Sequence, residues 1–144
     1  MIDSLMLVDD ENLFHLVFED ACSLLDISLS LKSLNSSDEA AKLFEKWFKG
    51  DLQDKPECVF VDLNIIGSSF DGIELIRRIN FQYGNNVVIG IISSSNEPEE
   101  QAKAVQSGAQ FWIIKSDEIE PRLEEFKKDY QGYVNRTAPF KVYR

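Results

Sequence analysis

Apolar residues in this chain follow two distinct periodicities. Four short stretches, Leu5 to Val8, Cys58 to Val61, Val87 to Ile92 and Phe111 to Ile114, are almost wholly apolar and rich in β-formers. Continuous runs of this length predict strands covered on both faces of a sheet. A fifth stretch alternates, with Ile27, Leu29 and Leu31 set between Ser28, Ser30 and Lys32. That pattern predicts a half-exposed strand at a sheet edge.

The second periodicity is helical. Phe14, Val17, Phe18, Ala21 and Leu25 recur at spacings of three and four and form one apolar stripe, as do Ala40, Leu43, Phe44, Trp47 and Phe48. Trp47 and Phe48 are therefore expected in the core. Ser36 and Glu39 suggest a capping box for the second helix, and Asp71 with Glu74 a cap for a third that carries Ile73, Ile76 and Ile79. A fourth helix is predicted from Pro98, after Asn96, to a stop at Gly108. The fifth begins between Asp117 and Pro121, turns Leu123, Phe126 and Tyr130 inward, and is expected to stop at Gly132.

Strand and helix thus alternate five times without internal repeats. Right-handed crossovers between parallel strands predict an α/β fold, a three-layer α/β/α sandwich around a five-stranded parallel sheet. With the alternating second strand at an edge, the flavodoxin-like order 2-1-3-4-5 fits best. The expected organisation is one domain over residues 1–131 and a C-terminal tail over 132–144, a size suited to a single core.

Composition narrows the class. The chain is 44% hydrophobic and 28% charged, ordinary for a water-soluble domain, and lacks both a membrane-length apolar run and a basic, apolar leader. A net charge of −10 without a basic stripe argues against nucleic acid and anionic membranes as partners. Cys22 and Cys58 lie among apolar neighbours without C-x-x-C spacing, which suggests reduced core thiols and a cytoplasmic setting.

Ligands of open α/β sheets bind beyond the carboxyl ends of the strands. The first strand ends in Asp9-Asp10-Glu11, the third in Asp62, the fourth in Ser93 and the fifth in Lys115. Acid, acid, hydroxyl and amine are thereby expected on one rim. Crowded carboxylates raise one another's pKa unless a cation relieves them, and Mg²⁺, a hard ion that prefers oxygen, suits Asp9, Asp10 and Asp62. A pair of acids alone would be weak support; their combination with Ser93 and Lys115 at four strand ends is not.

The segments LMLVDDEN, VFVDLNI with DGIELI, VIGIISSS and GAQFWIIKS resemble the successive signatures of the response-regulator receiver family, over residues from about 5 to 131. The resemblance implies a stand-alone receiver of a two-component system, a phosphoacceptor signalling protein rather than an enzyme acting on a separate substrate. Asp62 would take the phosphoryl group from a sensor histidine kinase or a histidine phosphotransfer protein. Asp10 and Asp62 would bind Mg²⁺ directly, Asp9 through water, and Asn64 through its backbone carbonyl. Ser93 would hydrogen-bond the phosphoryl group, Lys115 would pair with its charge, and Ser94 would leave it room. Trp112 stands where the family often has an aromatic switch residue. Output to a downstream protein would use the face formed by the fourth helix, fifth strand and fifth helix.

Three positions depart from the family's pattern. Residues 65–70 lengthen the loop before Asp71-Gly72, Ser116 replaces the usual proline after Lys115, so that a trans peptide is expected there, and Trp112 is larger than the usual switch residue. As a switch it would move from an outward to an inward position; alternatively it would be a fixed partner-binding anchor. Two other readings stand beside the main one. A receiver-shaped adaptor would bind partners without phosphorylation, and a haloacid-dehalogenase-like phosphatase would use similar chemistry but wants D-x-D where this chain has D-D-E. His15, the single histidine, falls within the apolar pattern of the first helix and is read as structural or surface.

Overall fold

Each of the four continuous apolar runs is a strand covered on both sides. The computed structural model describes residues 2–27, 30–50 and 55–144. Its elements run β1 (Ser4–Val8), α1 (Asn12–Leu25), β2 (Ser30–Leu34), α2 (Ser37–Phe48), β3 (Cys58–Asp62), α3 (Gly72–Tyr83), a 3-10 turn (Gly84–Asn86), β4 (Val88–Ser93), α4 (Pro98–Ser107), β5 (Phe111–Ile114), α5 (Glu120–Val134) and β6 (Lys141–Tyr143). All pairings are parallel, in the order β2-β1-β3-β4-β5-β6. The first five strands thus take the expected order, and a sixth lies beyond β5.

Successive strand residues feed two cores. Leu5, Leu7, Cys58, Phe60, Phe111 and Ile113 pack with α1 and α5. Met6, Val8, Val59, Val61, Ile91 and Trp112 pack with α2, α3 and α4. With helices on both faces there is no solvent side to favour polar alternation. The Phe60 ring meets Phe18, Phe111 and Phe126 edge-on at centroid distances of 5.1, 5.3 and 5.3 Å. Helix ends follow their predicted caps. Ser36 Oγ accepts from Glu39 N at 3.1 Å and Asp71 Oδ1 from Glu74 N at 2.9 Å. Gly108 closes α4 at φ 110°, a conformation glycine adopts without strain. No described helix is long and apolar enough to cross a membrane.

Three expectations are corrected. The second strand begins at Ser30, not Ile27. Asp26 takes the left-handed conformation at φ 52°, the Asp26 and Ile27 amides return to Ser23 O and Cys22 O, and Ile27 is buried. That is a Schellman-type helix end with its apolar contact, which mimics the first residue of a strand in sequence. Ser28 and Leu29 lie outside the described residues, as does the side-chain alternation to Lys32. Phe48 is 60% exposed, because α2 turns Ala40, Phe44 and Trp47 inward and the next residue falls off that stripe.

The third correction concerns Gly132 and the tail. α5 continues through Gly132 to Val134. A Cβ on Gly132 would meet Ala138 Cβ at 2.9 Å, and the Gly132 carbonyl accepts from Thr137 N and Ala138 N at 2.9 and 3.0 Å. The glycine thus marks the close approach of the returning chain. Residues 132–144 end α5 and then add β6 to the sheet, with Phe111, Trp112 and Ile113 opposite Lys141, Val142 and Tyr143. Arg136, at φ 60°, makes the turn and donates to Gly84 O and Val87 O at 2.8 and 2.9 Å. Tyr143 hydroxyl bonds Tyr133 hydroxyl at 2.8 Å and Asp129 Oδ2 at 2.7 Å.

Candidate functional site

The strand ends converge where β1, β3, β4 and β5 finish. Asp62 and Ser93 are the last residues of β3 and β4, Asp9 directly follows β1 and Lys115 directly follows β5. Carboxylate oxygens of Asp9, Asp10 and Asp62 lie within 4.8 Å of one another. Asp9 is fully buried and Asp62 is 8% exposed at the floor of an open cleft of about 440 Å³, which Asp10, Asn64, Ser93, Ser94 and Lys115 also line. The loop after β3 is held against this cleft. Ile66 N donates to Asp10 Oδ2 at 3.2 Å, while Ser68 Oγ accepts from Ser37 N and Asp38 Oδ2 from Ser69 N, both at 2.9 Å. The lengthened loop therefore docks on the start of α2 and on one of the site's acids.

Gly72 explains the Asp-Gly pair that opens α3. A Cβ there would lie 2.1 Å from the backbone carbonyl oxygen of Asp62. Any other residue would displace the strand end that holds Asp62.

Lys115 Nζ is 2.9 Å from Asp9 Oδ2, 3.4 Å from Glu11 Oε2 and 4.0 Å from Asp62 Oδ2. It also stands 4.6 Å over the Phe14 ring. The Asp9 contact is a close, buried ion pair, and the same ammonium is shared with Glu11 and Asp62. Burial pulls the Lys115 ammonium down, but Asp9, Asp62 and Glu11 more than offset it, and the net shift is upward. For Asp62 the balance goes against the charge. Burial, then Asp9, raise its pKa; Lys115 opposes them, Asp10 adds to them, and the result is pushed up to about 7. A single lysine thus leaves three acids under-neutralised.

Ser93 is buried, with Oγ accepting from Ser95 N at 3.1 Å. Trp112 is fully buried behind it, and its Nε1 donates to Ser95 O at 3.0 Å. The indole already lies inward and offers no surface to a partner in this arrangement. Lys115–Ser116 is trans, as expected, for no described peptide bond is cis. Ser116 Oγ accepts from Glu118 N at 3.0 Å and from Arg122 Nη1 at 2.6 Å, which shapes the entry to α5.

Sequence reasoning brought the five central residues together, placed Glu11 at the same strand end without a role, and missed three further neighbours. Glu11 and Phe14 flank Lys115, the Ile66 amide holds Asp10, and His15 Nε2 lies 2.6 Å from Asp9 O. The first helical turn after an acidic strand end was the available signal for Phe14 and His15. A backbone amide in a loop leaves none.

The family model of the response regulator receiver domain matches residues 5–124. Comparison with curated protein sequences finds no match. The signal receiver domain of a modulated diguanylate cyclase from Desulfovibrio desulfuricans G20 superposes with a TM-score of 0.70 at 17% identity, covering 95% of this chain and 97% of that one. A response regulator from Thermotoga maritima gives 0.70 at 23% identity, covering 89% and 97%. A response regulator protein from Burkholderia pseudomallei, solved with a phosphorylated aspartic acid, calcium ion and citrate, gives 0.67 at 19%, covering 94% and 73%. These likenesses concern the fold. β6 lies beyond the residues that the family model matches.

Proposed function

The chain belongs to the response-regulator receiver family, and from that premise we propose that it accepts a phosphoryl group on Asp62 and signals through protein contacts. The observation that carries this reading is the Asp62 carboxylate itself. It lies at the floor of an open cleft, with two further acids within 4.8 Å and a lysine ammonium at 4.0 Å. The family makes the chain a phosphoacceptor signalling domain, not a classical enzyme.

The donor set fits a divalent cation. Three hard carboxylates converge, and Lys115, the ammonium that Asp9 and Asp62 share, alone does not neutralise them. In this reading Asp10, Asp62 and the Asn64 carbonyl hold Mg²⁺ and Asp9 assists through water. When bound, the ion supplies charge neutralisation for the transferred group. The chain's own residues do the rest. An ionised Asp62 oxygen attacks the phosphorus of a phosphohistidine, and the P–N bond breaks with its electron pair left on the imidazole. Ser93 hydroxyl donates to one phosphoryl oxygen, Lys115 faces another, and Ser94 leaves space. Water later displaces the Asp62 carboxylate and releases inorganic phosphate.

The donor is a sensor histidine kinase or a histidine phosphotransfer protein. Output runs through α4, β5 and α5, a face on which β6 now covers the β5 edge. Trp112 acts as the switch residue through its tie to Ser95.

Intact-mass spectrometry after incubation with a small phosphodonor tests the proposal. One acid- and base-labile phosphoryl adduct is expected, dependent on Mg²⁺, lost in Asp62→Asn and strongly reduced in Asp10→Asn. An adduct that persists in Asp62→Asn overturns the assignment, and a wild-type protein without any adduct leaves the adaptor reading.

A further inference from the structure

His15 is the chain's single histidine, and α1 delivers it under the acidic cluster. The residue is 7% exposed, and Nε2 lies 2.6 Å from the backbone carbonyl oxygen of Asp9. A carbonyl can only accept, so Nε2 carries the proton and donates it. Nδ1 is then a buried acceptor without a partner. An unsatisfied buried acceptor is costly, and leucine or phenylalanine would avoid that cost if the ring only filled space.

The bond acts on the backbone that aims the acids. The Asp9 carbonyl shares its peptide plane with the Asp10 amide, just beyond the last register pair of β1 at Val8. Among the described residues, His15 is the donor given to that carbonyl. On either side of the plane the two carboxylates have separate partners. Asp9 Oδ1 accepts from Glu11 N at 2.8 Å and Oδ2 pairs with Lys115, while Asp10 Oδ2 accepts from Ile66 N.

We propose that His15 is a positioning residue: its Nε2–H locks the Asp9–Asp10 peptide so that both carboxylates converge with Asp62 on a divalent cation. The proposal rests on the metal-assisted phosphoacceptor reading above. Hydrogen-bond partners behind metal ligands typically contribute 10–100-fold to metal affinity.

The test is Mg²⁺ titration by calorimetry on the wild type, His15→Leu and His15→Gln, with Asp10→Asn as the control for loss of a ligand. Near-ultraviolet circular dichroism checks each fold. His15→Leu is expected to bind Mg²⁺ about 10–100-fold more weakly. His15→Gln, whose amide N–H can meet the same carbonyl, recovers most of the affinity. Leucine with wild-type affinity, or an equal loss in both folded variants, overturns the proposal. Should His15→Leu fail to fold, long-range ¹H–¹⁵N spectra of the wild type decide: the Nε2-protonated tautomer is expected, and an Nδ1-protonated ring overturns it. A wild-type protein that binds no Mg²⁺ refutes the site reading itself and the positioning role with it, whereas wild-type binding with an indifferent leucine variant refutes the positioning role alone.

Discussion

Asp62 is the residue at which folding and function pull apart. Its carboxyl is pushed from 3.8 up to about 7, first by burial and then by Asp9. A carboxyl whose pKa rises on folding binds its proton more tightly in the native state than in the unfolded chain. The stability this confers is complete below about pH 4 and is lost as pH rises through 7. Asp62→Asn cannot ionise, so in EDTA its melting temperature should match the wild type near pH 4 and exceed it above pH 8. One pKa unit corresponds to about 1.4 kcal/mol, so a gap of about 5 °C or more is expected for a domain of this size. Adding Mg²⁺ should narrow the gap by stabilising the wild type. Differential scanning calorimetry at several pH values checks this, and a gap that does not change with pH would contradict it.

At the scale of elements, the β4–α4 loop and β6 are joined through one ring. Ser95 N donates to Ser93 Oγ, Ser95 O accepts from the Trp112 indole, and Trp112 lies opposite Val142. A phosphoryl group that draws Ser93 toward itself would move Ser95 and so bias the packing of Trp112 between two arrangements. In a Trp47→Phe background, addition of Mg²⁺ and beryllofluoride should shift Trp112 emission, and Ser93→Ala should abolish the shift while still allowing phosphorylation. Unchanged emission in the otherwise wild-type site would remove Trp112 from the output route. Gly72 gives a second handle on the same scale. Gly72→Ala should impair phosphorylation as well as stability, since its methyl group would strike the Asp62 carbonyl. Phosphorylation at the wild-type rate in that variant would show that the strand end can yield.

Across the whole molecule, two cores on opposite faces share one sheet, so neither can open without uncovering β1 and β3. Both cysteines belong to the core beneath α1 and α5. Burial, with a contribution from Glu19, pushes the Cys22 thiol up to about 12, and burial likewise raises Cys58 well above its ordinary range. Thiolate is the reactive form, so neither residue should react with a thiol reagent at pH 8 while the protein is folded. Labelling in a urea series should follow the same midpoint as the loss of tryptophan emission, as expected for one cooperative unit. Rapid labelling of native protein would indicate local opening around α1 instead.

The sequence by itself determined the alternation of strands and helices and the polar residues at the strand ends. Both are local: a covered strand is a continuous apolar run, and Asp9, Asp10, Asp62, Ser93 and Lys115 stand where such runs stop. Caps at Ser36, Asp71 and Gly108 were legible for the same reason, since each acts within one helical turn. Only the tertiary structure decided the rest. That Lys115 sits nearer Asp9 than Asp62 depends on three strands meeting from distant parts of the chain. That Ile27 closes a helix, or that Gly132 receives Ala138, depends on where the chain returns, which periodicity does not encode. β6 has three residues, too few to show a pattern, and is held by pairing with β5 and by the Tyr133–Tyr143–Asp129 hydrogen bonds. His15 fits the apolar stripe of α1 as any core residue would; its contact with Asp9 arises because the strand end and the helix are folded back upon each other, bringing a ring nitrogen to a backbone oxygen.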